Sequence, residues 1–578
     1  MGLTPETIQK TGHTFFDAIE RPELKKIITP QSPWVLYTME AYLQQQGFRG
    51  SGGLGILNGD MLLLAARLGI PMVGISPIYP TRVKQSLDEN FYQQEVFDLD
   101  FPEEQGFAGL GNINIKANGG NVSLEVYRAK NVPLYSIYDP NFRYLYPGST
   151  NADHRAYQAA ALGFGGYQIT KELDLDPAVV QLQESATTFA GLAYFDEYLK
   201  KGQSFDNALR LIKEKTVLSN HTLVQAQIAC FTRDQFESFV LGNIDSKDLQ
   251  DWVWYLMSPD YQDCNMSTLG MEVAGKLNGV SKLHAEIAST QFRKKDGNLA
   301  NFQPITNGIS LERWTDQELL SYYRFADIID GFDLPTTDYQ EKINDLDSVI
   351  LRKMKNRTKL NLISYLKTRI DQYGNPIFIP ENAKLACWTK RFAGYKRPGM
   401  IFEDRERLNW ILEDENIHLL LAGKAHPEDH PMKYEIQRIC QLIDRDKNLK
   451  KRVHFIQNYD EPLARFLVSG VDIWLNTPIV GQEACGTSFM KALANLTILI
   501  STNDGGVADV EDGNYFRVEG RDYSQEVESL YGQIEKAAKI VNGDCEKWGR
   551  SIKKQTADYF PTISGSGMMR NYIYFFFP

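Results

Sequence analysis

Lys390-Arg391-Phe392-Ala393-Gly394-Tyr395-Lys396-Arg397 places four cations within eight residues, directly after the apolar run Lys384–Thr389. The formal net charge of the chain is −11. Clustered cations at the carboxyl end of a strand repel one another unless an anion is held among them. A solvated basic loop would show the same residues. A second anion-suited segment is Gly50-Ser51-Gly52-Gly53-Leu54-Gly55, which leads into a helix predicted from about Asn58 and closed by Gly69 before Pro71. Bare amides at a helix start suit a phosphate, and a plain tight turn is the equal alternative. The segment also fits G-x-G-x-x-G, but Gln44-Gln45-Gln46-Gly47, not a strand, stands just before it and residues 70–80 contain no acid, which argues against a nicotinamide cofactor.

Glu483-Ala484-Cys485-Gly486-Thr487-Ser488-Phe489-Met490-Lys491 follows the strand-like run Val471–Asn476 and enters a helix. Gly-Thr-Ser at a helix start offers amides and hydroxyls to a phosphate. Lys491, one turn inside, is either a surface lysine, the simpler reading, or a buried amine that loses its charge readily and suits a Schiff base. His221 and Glu184 stand at the ends of strand-like runs Thr216–Ser219 and Val179–Gln183, as binding groups or as ordinary loop residues. His426 and His430 are four apart, yet Pro427 and Pro431 break the helix that would align them, so no metal site is expected.

These groups need a frame. Strands are predicted at Trp34–Met39, Pro71–Ser76, Val132–Ile137, Val179–Gln183 and Thr216–Ser219, and again at Lys384–Thr389, His418–Ala422, Val453–Gln457, Val471–Asn476 and Thr497–Ser501. Helical patterns fall near 399–413, 432–446, 461–469 and 487–496, and Thr4-Pro5-Glu6 reads as a helix start. Apolar strands separated by helices imply parallel sheets covered on both faces. The fold class is therefore α/β, with two doubly wound Rossmann-like domains facing a central cleft, divided near Thr306–Trp314.

The 578 residues are 43% hydrophobic and 23% charged, the balance of a globular chain. The acidic balance argues against general nucleic-acid or anionic-membrane binding, and no apolar run approaches the ~18–20 residues that span a bilayer. The first residues lack a signal-peptide core, and Glu6 spoils the myristoylation pattern after Gly2, so a cytoplasmic location is expected. Six scattered cysteines form neither a disulfide framework nor a zinc ribbon and read mostly as small buried hydrophobes. The closing run Tyr572–Phe577 is too short to span a membrane and is expected to pack on the body.

Taken together, the segments resemble the α-glucan (glycogen/starch/maltodextrin) phosphorylases of compact bacterial type. The resemblance runs from about Ser32 to the end through Gly52-Gly53-Leu54-Gly55, Leu162-Gly163-Phe164-Gly165-Gly166, Asn220-His221-Thr222, Asn278 to His284, Thr306-Asn307-Gly308-Ile309, the basic loop, Ala422 to Pro427, Val471 to Pro478, Glu483 to Lys491, and Met568 to Tyr572. It implies a B-type glycosyltransferase fold with pyridoxal 5'-phosphate in the cleft. It also implies residues 1–306 as the glucan-side domain and 307–578 as the cofactor domain, with the last helices, about 546–578, packing back on the first. Lys491 matches the Schiff-base lysine. Thr487 and Ser488 match the holders of the cofactor phosphate, and Tyr42, Trp314, Lys390 and Tyr459 match other positions around it. Arg391, Lys396 and the amide of Gly53 match the substrate-phosphate site, while His221, Asn307 and Glu483 match groups that bind the glucosyl hydroxyls. The implied reaction is reversible phosphorolysis of an α-glucan or maltooligosaccharide by inorganic phosphate to α-D-glucose 1-phosphate with retention. The family's dimers leave a homodimer open.

The chain departs from that pattern on the sugar side. Gln183-Glu184-Ser185-Ala186 stands where the family has Asn-Glu-Gly-His or Asn-Asp-Thr-His, and Tyr146-Pro147-Gly148-Ser149 replaces the usual Leu-Tyr-Gly. Phe489, Asp460 and Ser310 also depart from the common residues. Two other readings stay in view: a nucleotide-sugar glycosyltransferase of the same fold, for which Lys491 has no use, and a glucan-binding homologue that lost catalysis.

Overall fold

Parallel pairing organises the chain twice over. The computed structural model describes residues 12–43, 53–148, 152–224, 228–257 and 263–578. The predicted helix start at Thr4 and the first half of the Gly-rich turn, Gly50–Gly52, lie outside the described residues.

The first sheet holds β1 (Trp34–Thr38), β2 (Met72–Ile78), β5 (Phe107–Ala117), β6 (Gly120–Ala129), β7 (Leu134–Tyr138), β8 (Val179–Gln183), β9 (Thr216–Asn220), β12 (Lys276–Gly279) and β13 (Gln303–Pro304), in the order β13-β12-β9-β8-β1-β2-β7-β6-β5. Two small pairs stand outside it: the hairpin β3 (Thr81–Leu87) with β4 (Gln93–Leu99), and β10 (Cys230–Thr232) with β11 (Asp263–Asn265). The second sheet contains β14 (Lys384–Thr389), β15 (Ile417–Ala422), β16 (Val453–Ile456), β17 (Ile473–Asn476), β18 (Ile498–Ser501) and β19 (Phe516–Arg517), in the order β16-β15-β14-β17-β18-β19. All its pairings are parallel. Its strands are buried along nearly their whole length, as a sheet covered by helices on both faces requires.

Both sheets carry a point where strand order reverses, at β1/β8 and at β14/β17. Chains leaving neighbouring strands there diverge and open a crevice at the carboxyl ends. Glu40 and Glu184 follow β1 and β8; Lys390 follows β14. The fold thus delivers these groups to the two crevices without any special loop.

Two differences between the sequence pattern and the structure bear on the first half. The first sheet is not parallel throughout, because β5 and β6 pair antiparallel and extend it past β7. β5 is largely exposed and rich in Gly and Asn, so it lacks the apolar run by which a buried strand is read. The helix predicted from about Asn58 begins at Leu54, since Gly55, Ile56 and Leu57 already join its buried face, and it ends at Gly69 with φ +68°.

The halves are joined at several points. Hairpin β3–β4 reaches across to the second half: Gln85 Nε2–H donates to the Gly423 carbonyl (2.9 Å), Gln93 Nε2–H to that of Ala425 (3.0 Å), and Lys433 pairs with Glu95 (2.7 Å). The final helix, Gly565–Phe576, returns to the first sheet, where Trp34 meets Phe576 edge to face at 4.8 Å. Lys276 Nζ donates to the carbonyls of Phe575 and Phe576. Four cysteines are buried, Cys230 is exposed, and none is paired. No helix among the described residues is long and apolar enough to cross a membrane.

Candidate active site

A cavity of about 940 Å³ lies between the two crevices. Arg391, Lys396, His221, Glu483, Asn307, Lys491, Thr487, Ser488, Gly53, Trp314, Lys390 and Tyr459 all line it. Tyr42 is the exception among the residues singled out from the sequence. It sits behind the wall, where a Cβ on Gly55 would come within 2.2 Å of its ring. Gly55 is thus glycine because the ring of Tyr42 occupies the space of a side chain.

The basic loop is held by close backbone packing. Phe392 N–H donates to the Lys424 carbonyl (2.9 Å), and Gly423, at φ +151°, lets the Lys390 carbonyl approach to where a Cβ would stand at 1.9 Å. Lys396 forms an ion pair with Glu483. Burial alone would lower the Lys396 amine, but the Glu483 carboxylate beside it raises it above its ordinary value. For Glu483 burial acts the other way and is overcome by Lys396 and Lys390, which hold its carboxyl below the usual range. Lys390 has no such partner; burial, aided by the charge of Lys396, pushes it down to about 7. Three cations therefore crowd around one carboxylate, an arrangement that an entering anion would relieve. The Glu483 loop is fixed by Asp504, whose carboxylate accepts from the N–H groups of Gly481, Glu483 and Gly505.

Lys491 lies in helix Ser488–Leu493 with its Nζ 3.8 Å from the centroid of the Trp314 ring. It is not a surface lysine: burial lowers the amine to about 8, opposed by Asp60. Thr487, at the N-terminus of that helix, makes no side-chain bond to it, and both Thr487 and Ser488 line the cavity.

The opposite wall comes from the first half. His221 Nε2–H donates to Gln183 Oε1 (2.6 Å), which leaves Nδ1 as an acceptor. Burial, with His284 nearby, lowers this imidazole to about 3, so it is neutral. Glu184 Oε1 accepts from His221 N–H (2.6 Å) and Thr222 Oγ1–H (2.9 Å). Burial raises its carboxyl above the usual range against those bonds. Glu184 adopts φ +75° and ψ +157°, a region almost reserved for glycine. Asn307 is set by its N–H to the Val280 carbonyl (3.1 Å), and its Oδ1 is buried without a partner.

The sequence reading passed over several cavity groups. Glu40 ends the turn after β1, accepts from Tyr146 Oη–H (3.1 Å), and is raised by burial. Its place just beyond a strand is the signal that flagged Glu184, and it was available. Arg155 lines the same wall, and nothing in its local pattern separates it from a surface arginine. Glu428 accepts from Gly148 N–H (3.0 Å) and Tyr144 Oη–H (3.3 Å), closing the cavity's edge across the two halves. His426 donates Nε2–H to the Tyr146 carbonyl, while His430 contacts Tyr92. The two histidines thus serve different contacts, and no group of His, Cys, Asp and Glu among the described residues is placed to hold a metal.

Two α/β sheets with reversed strand order, facing one cleft lined by clustered cations, define a B-type glycosyltransferase fold. The model of the carbohydrate phosphorylase family matches residues 245–560, and the chain belongs to that family. It is 27% identical to a glycogen phosphorylase of Aquifex aeolicus, over 94% of this chain and 86% of the relative. It is 29% identical to a maltodextrin phosphorylase of Thermococcus litoralis and 28% identical to a glycogen phosphorylase of Mycobacterium tuberculosis, each over 90% of this chain and 68% of the relative.

Proposed function

We propose that the protein is an α-1,4-glucan phosphorylase, a glycosyltransferase that reversibly phosphorolyses the non-reducing-end glucosyl unit to α-D-glucose 1-phosphate with retention. The observation that carries this reading is the convergence, on one cavity, of the crowded cations Lys390, Arg391 and Lys396 with the buried amine of Lys491. A buried lysine without an ion-pair partner and a cluster of cations that share the single carboxylate of Glu483 are each costly, and each is accounted for by a phosphate-bearing aldehyde and a second phosphate.

The residues present fit pyridoxal 5'-phosphate. Lys491 would hold it, its amine lowered to about 8 and stacked on Trp314. The amides and hydroxyls of Thr487 and Ser488, with Lys390 and Tyr459, would hold the phosphate end, and Tyr42 would back the wall. When bound, the cofactor supplies a phosphate that exchanges a proton with the substrate phosphate. Arg391, Lys396 and the N–H of Gly53 hold inorganic phosphate against the charge of that neighbour, a preorganised electrostatic role. His221, Asn307 and Glu483 bind the glucosyl hydroxyls: the neutral His221 accepts at Nδ1, and Asn307 accepts at its otherwise unpartnered Oδ1. Substrate phosphate protonates the glycosidic oxygen, the shortened glucan leaves, and a phosphate oxygen bonds to C1 from the same face. Arg391 and Lys396 neutralise the charge that this proton transfer creates. The reading divides the chain at 306/307, places the protein in the cytoplasm, and leaves a homodimer open; only the final helix Gly565–Phe576 packs back on the first domain, rather than the whole run from about 546, because helix Cys545–Ile563 packs in the core of the second.

Borohydride reduction followed by peptide mass mapping tests the reading, together with glucose 1-phosphate release from maltooligosaccharides. A pyridoxyl adduct on Lys491 with phosphate-dependent release is the expected result. A cofactor-loaded preparation with no adduct on Lys491 overturns it.

A further inference from the structure

Beside Lys491 lies a cluster of charges that the reaction does not use. Arg313 donates Nε–H and Nη2–H to the two oxygens of Glu461 (3.1 and 2.9 Å) and Nη1–H to Asp60 Oδ1 (2.9 Å) and to the Tyr42 carbonyl (3.0 Å). Asp60 Oδ2 accepts from Trp314 Nε1–H (2.9 Å) and Ser310 N–H (3.2 Å). The side chains of Arg313, Asp60 and Glu461 are 2%, 1% and 5% exposed. The three come from separate parts of the chain: helix Leu54–Leu68, helix Leu311–Trp314 and the start of helix Glu461–Gly470. Gly59 is shaped to the cluster, because a Cβ there would stand 2.0 Å from the Tyr42 carbonyl oxygen that Arg313 binds.

A buried carboxylate–guanidinium–carboxylate triad is a poor way to gain stability, since apolar residues of equal volume usually serve as well or better. Its geometry has another consequence. One carboxylate fixes the Trp314 indole edge-on, and the ring face so fixed carries the Lys491 amine at 3.8 Å. The triad has one more carboxylate than guanidinium, and its three members are the charged groups that act on that amine.

We propose that Asp60, Arg313 and Glu461 are positioning residues for Lys491: they hold the Trp314 ring against its amine and present it with a net negative field. The inference rests on the reading of Lys491 as the cofactor-holding lysine, but its test needs neither cofactor nor turnover. Burial drives the amine down, the two carboxylates oppose that, and Arg313 acts with burial. Removing one carboxylate's charge therefore lowers the amine further.

The measurement is competitive acetylation of the full chain with acetic anhydride across pH, before any aldehyde is added, following Lys491 by peptide mass. The wild-type midpoint is expected near about 8. Asp60→Asn and Glu461→Gln are each expected to shift it down by about one unit, and Asp60→Glu to restore it. A midpoint unmoved or raised in the charge-removing variants overturns the proposal; where one of them fails to fold, the other decides. If the wild type releases no glucose 1-phosphate, the phosphorylase reading fails while the labelling midpoint still judges the triad.

Discussion

The two walls of the cavity are built on opposite principles. On the side of the second sheet, charged groups are set against one another: Lys396 against Glu483, the Glu483 loop against Asp504, and Asp60 and Glu461 against Arg313 beside Lys491, with Lys390 left without an ion pair of its own among the described residues. The backbone there takes positive φ at the glycines Gly423 and Gly505 and, among non-glycines beside the cavity, at Arg397 and Asn458, with φ of +52° and +53°. The wall of the first sheet adds a non-glycine residue in a costlier conformation, Glu184 at φ +75° and ψ +157°, next to the small side chain of Ala186. In the proposed phosphorylase, phosphate handling would rest on charges set against one another, whereas the surface facing the sugar chain would rest on a strained backbone at Glu184. The first kind of site tolerates little change, and the second is where one chain can differ from its relatives.

The largest expected break in that contrast is Lys396→Ala, which should lower kcat by roughly 10²–10³. It should also leave the Lys491 adduct in borohydride mapping intact. Equal loss of adduct and rate would show that the two anion sites are not separate. On the opposite wall, Glu184→Gln should act on the glucan rather than on phosphate. We expect KM for maltooligosaccharide acceptors to rise roughly tenfold, the worth of one charged hydrogen bond, with KM for phosphate unchanged in initial-rate measurements.

The contrast has a pH signature as well. Lys491, at about 8, must be neutral to react, so capture of pyridoxal phosphate slows as pH falls below that value. Lys390, at about 7 before an anion arrives, must be protonated to hold the phosphate, so capture weakens as pH rises past it. The rate of cofactor uptake, followed by absorbance, should therefore peak between about 7 and about 8, and Lys390→Arg should remove the alkaline fall. A monotonic rise in the wild type would refute the role of Lys390. The smallest effect is expected at Gly148→Ala. A Cβ there would stand 1.7 Å from the Glu428 carboxylate, the movable end of a side chain. Glu428 should swing away at a cost of about 1 kcal/mol, read as a shift of a few degrees or less in thermal unfolding.

Much of this contrast was visible in the residues themselves. Runs such as Lys384–Thr389 and Val179–Gln183 coincide with observed strands because a parallel strand buried on both faces is apolar along its whole length. The basic loop and the segment from Glu483 to Lys491 stood out for the same reason, each marking the end of such a run. Hairpin β3–β4 did not, since Arg82, Lys84, Gln94 and Asp98 give it no apolar signature and its purpose is to bridge halves far apart in sequence. The Asp60–Arg313–Glu461 cluster was illegible for a related cause. Each member alone is an ordinary charged residue on a helix, and only their meeting gives them meaning. That Lys491 is buried also emerged only from packing, because its local pattern fits a surface lysine equally well.

The return of the final helix also sets an order of events during synthesis. Trp34 opens the first strand of the first sheet, yet the aromatic rings that cover it, Tyr572 and Phe576, are made only after the whole second sheet. Until they arrive, one face of the first sheet has lost part of its cover, and its apolar side chains stand open to other chains. The nascent protein must therefore carry an unfinished first half through the making of the whole second half. Chaperone demand and aggregation risk are set by the time needed to translate the chain rather than by the stability of the finished molecule.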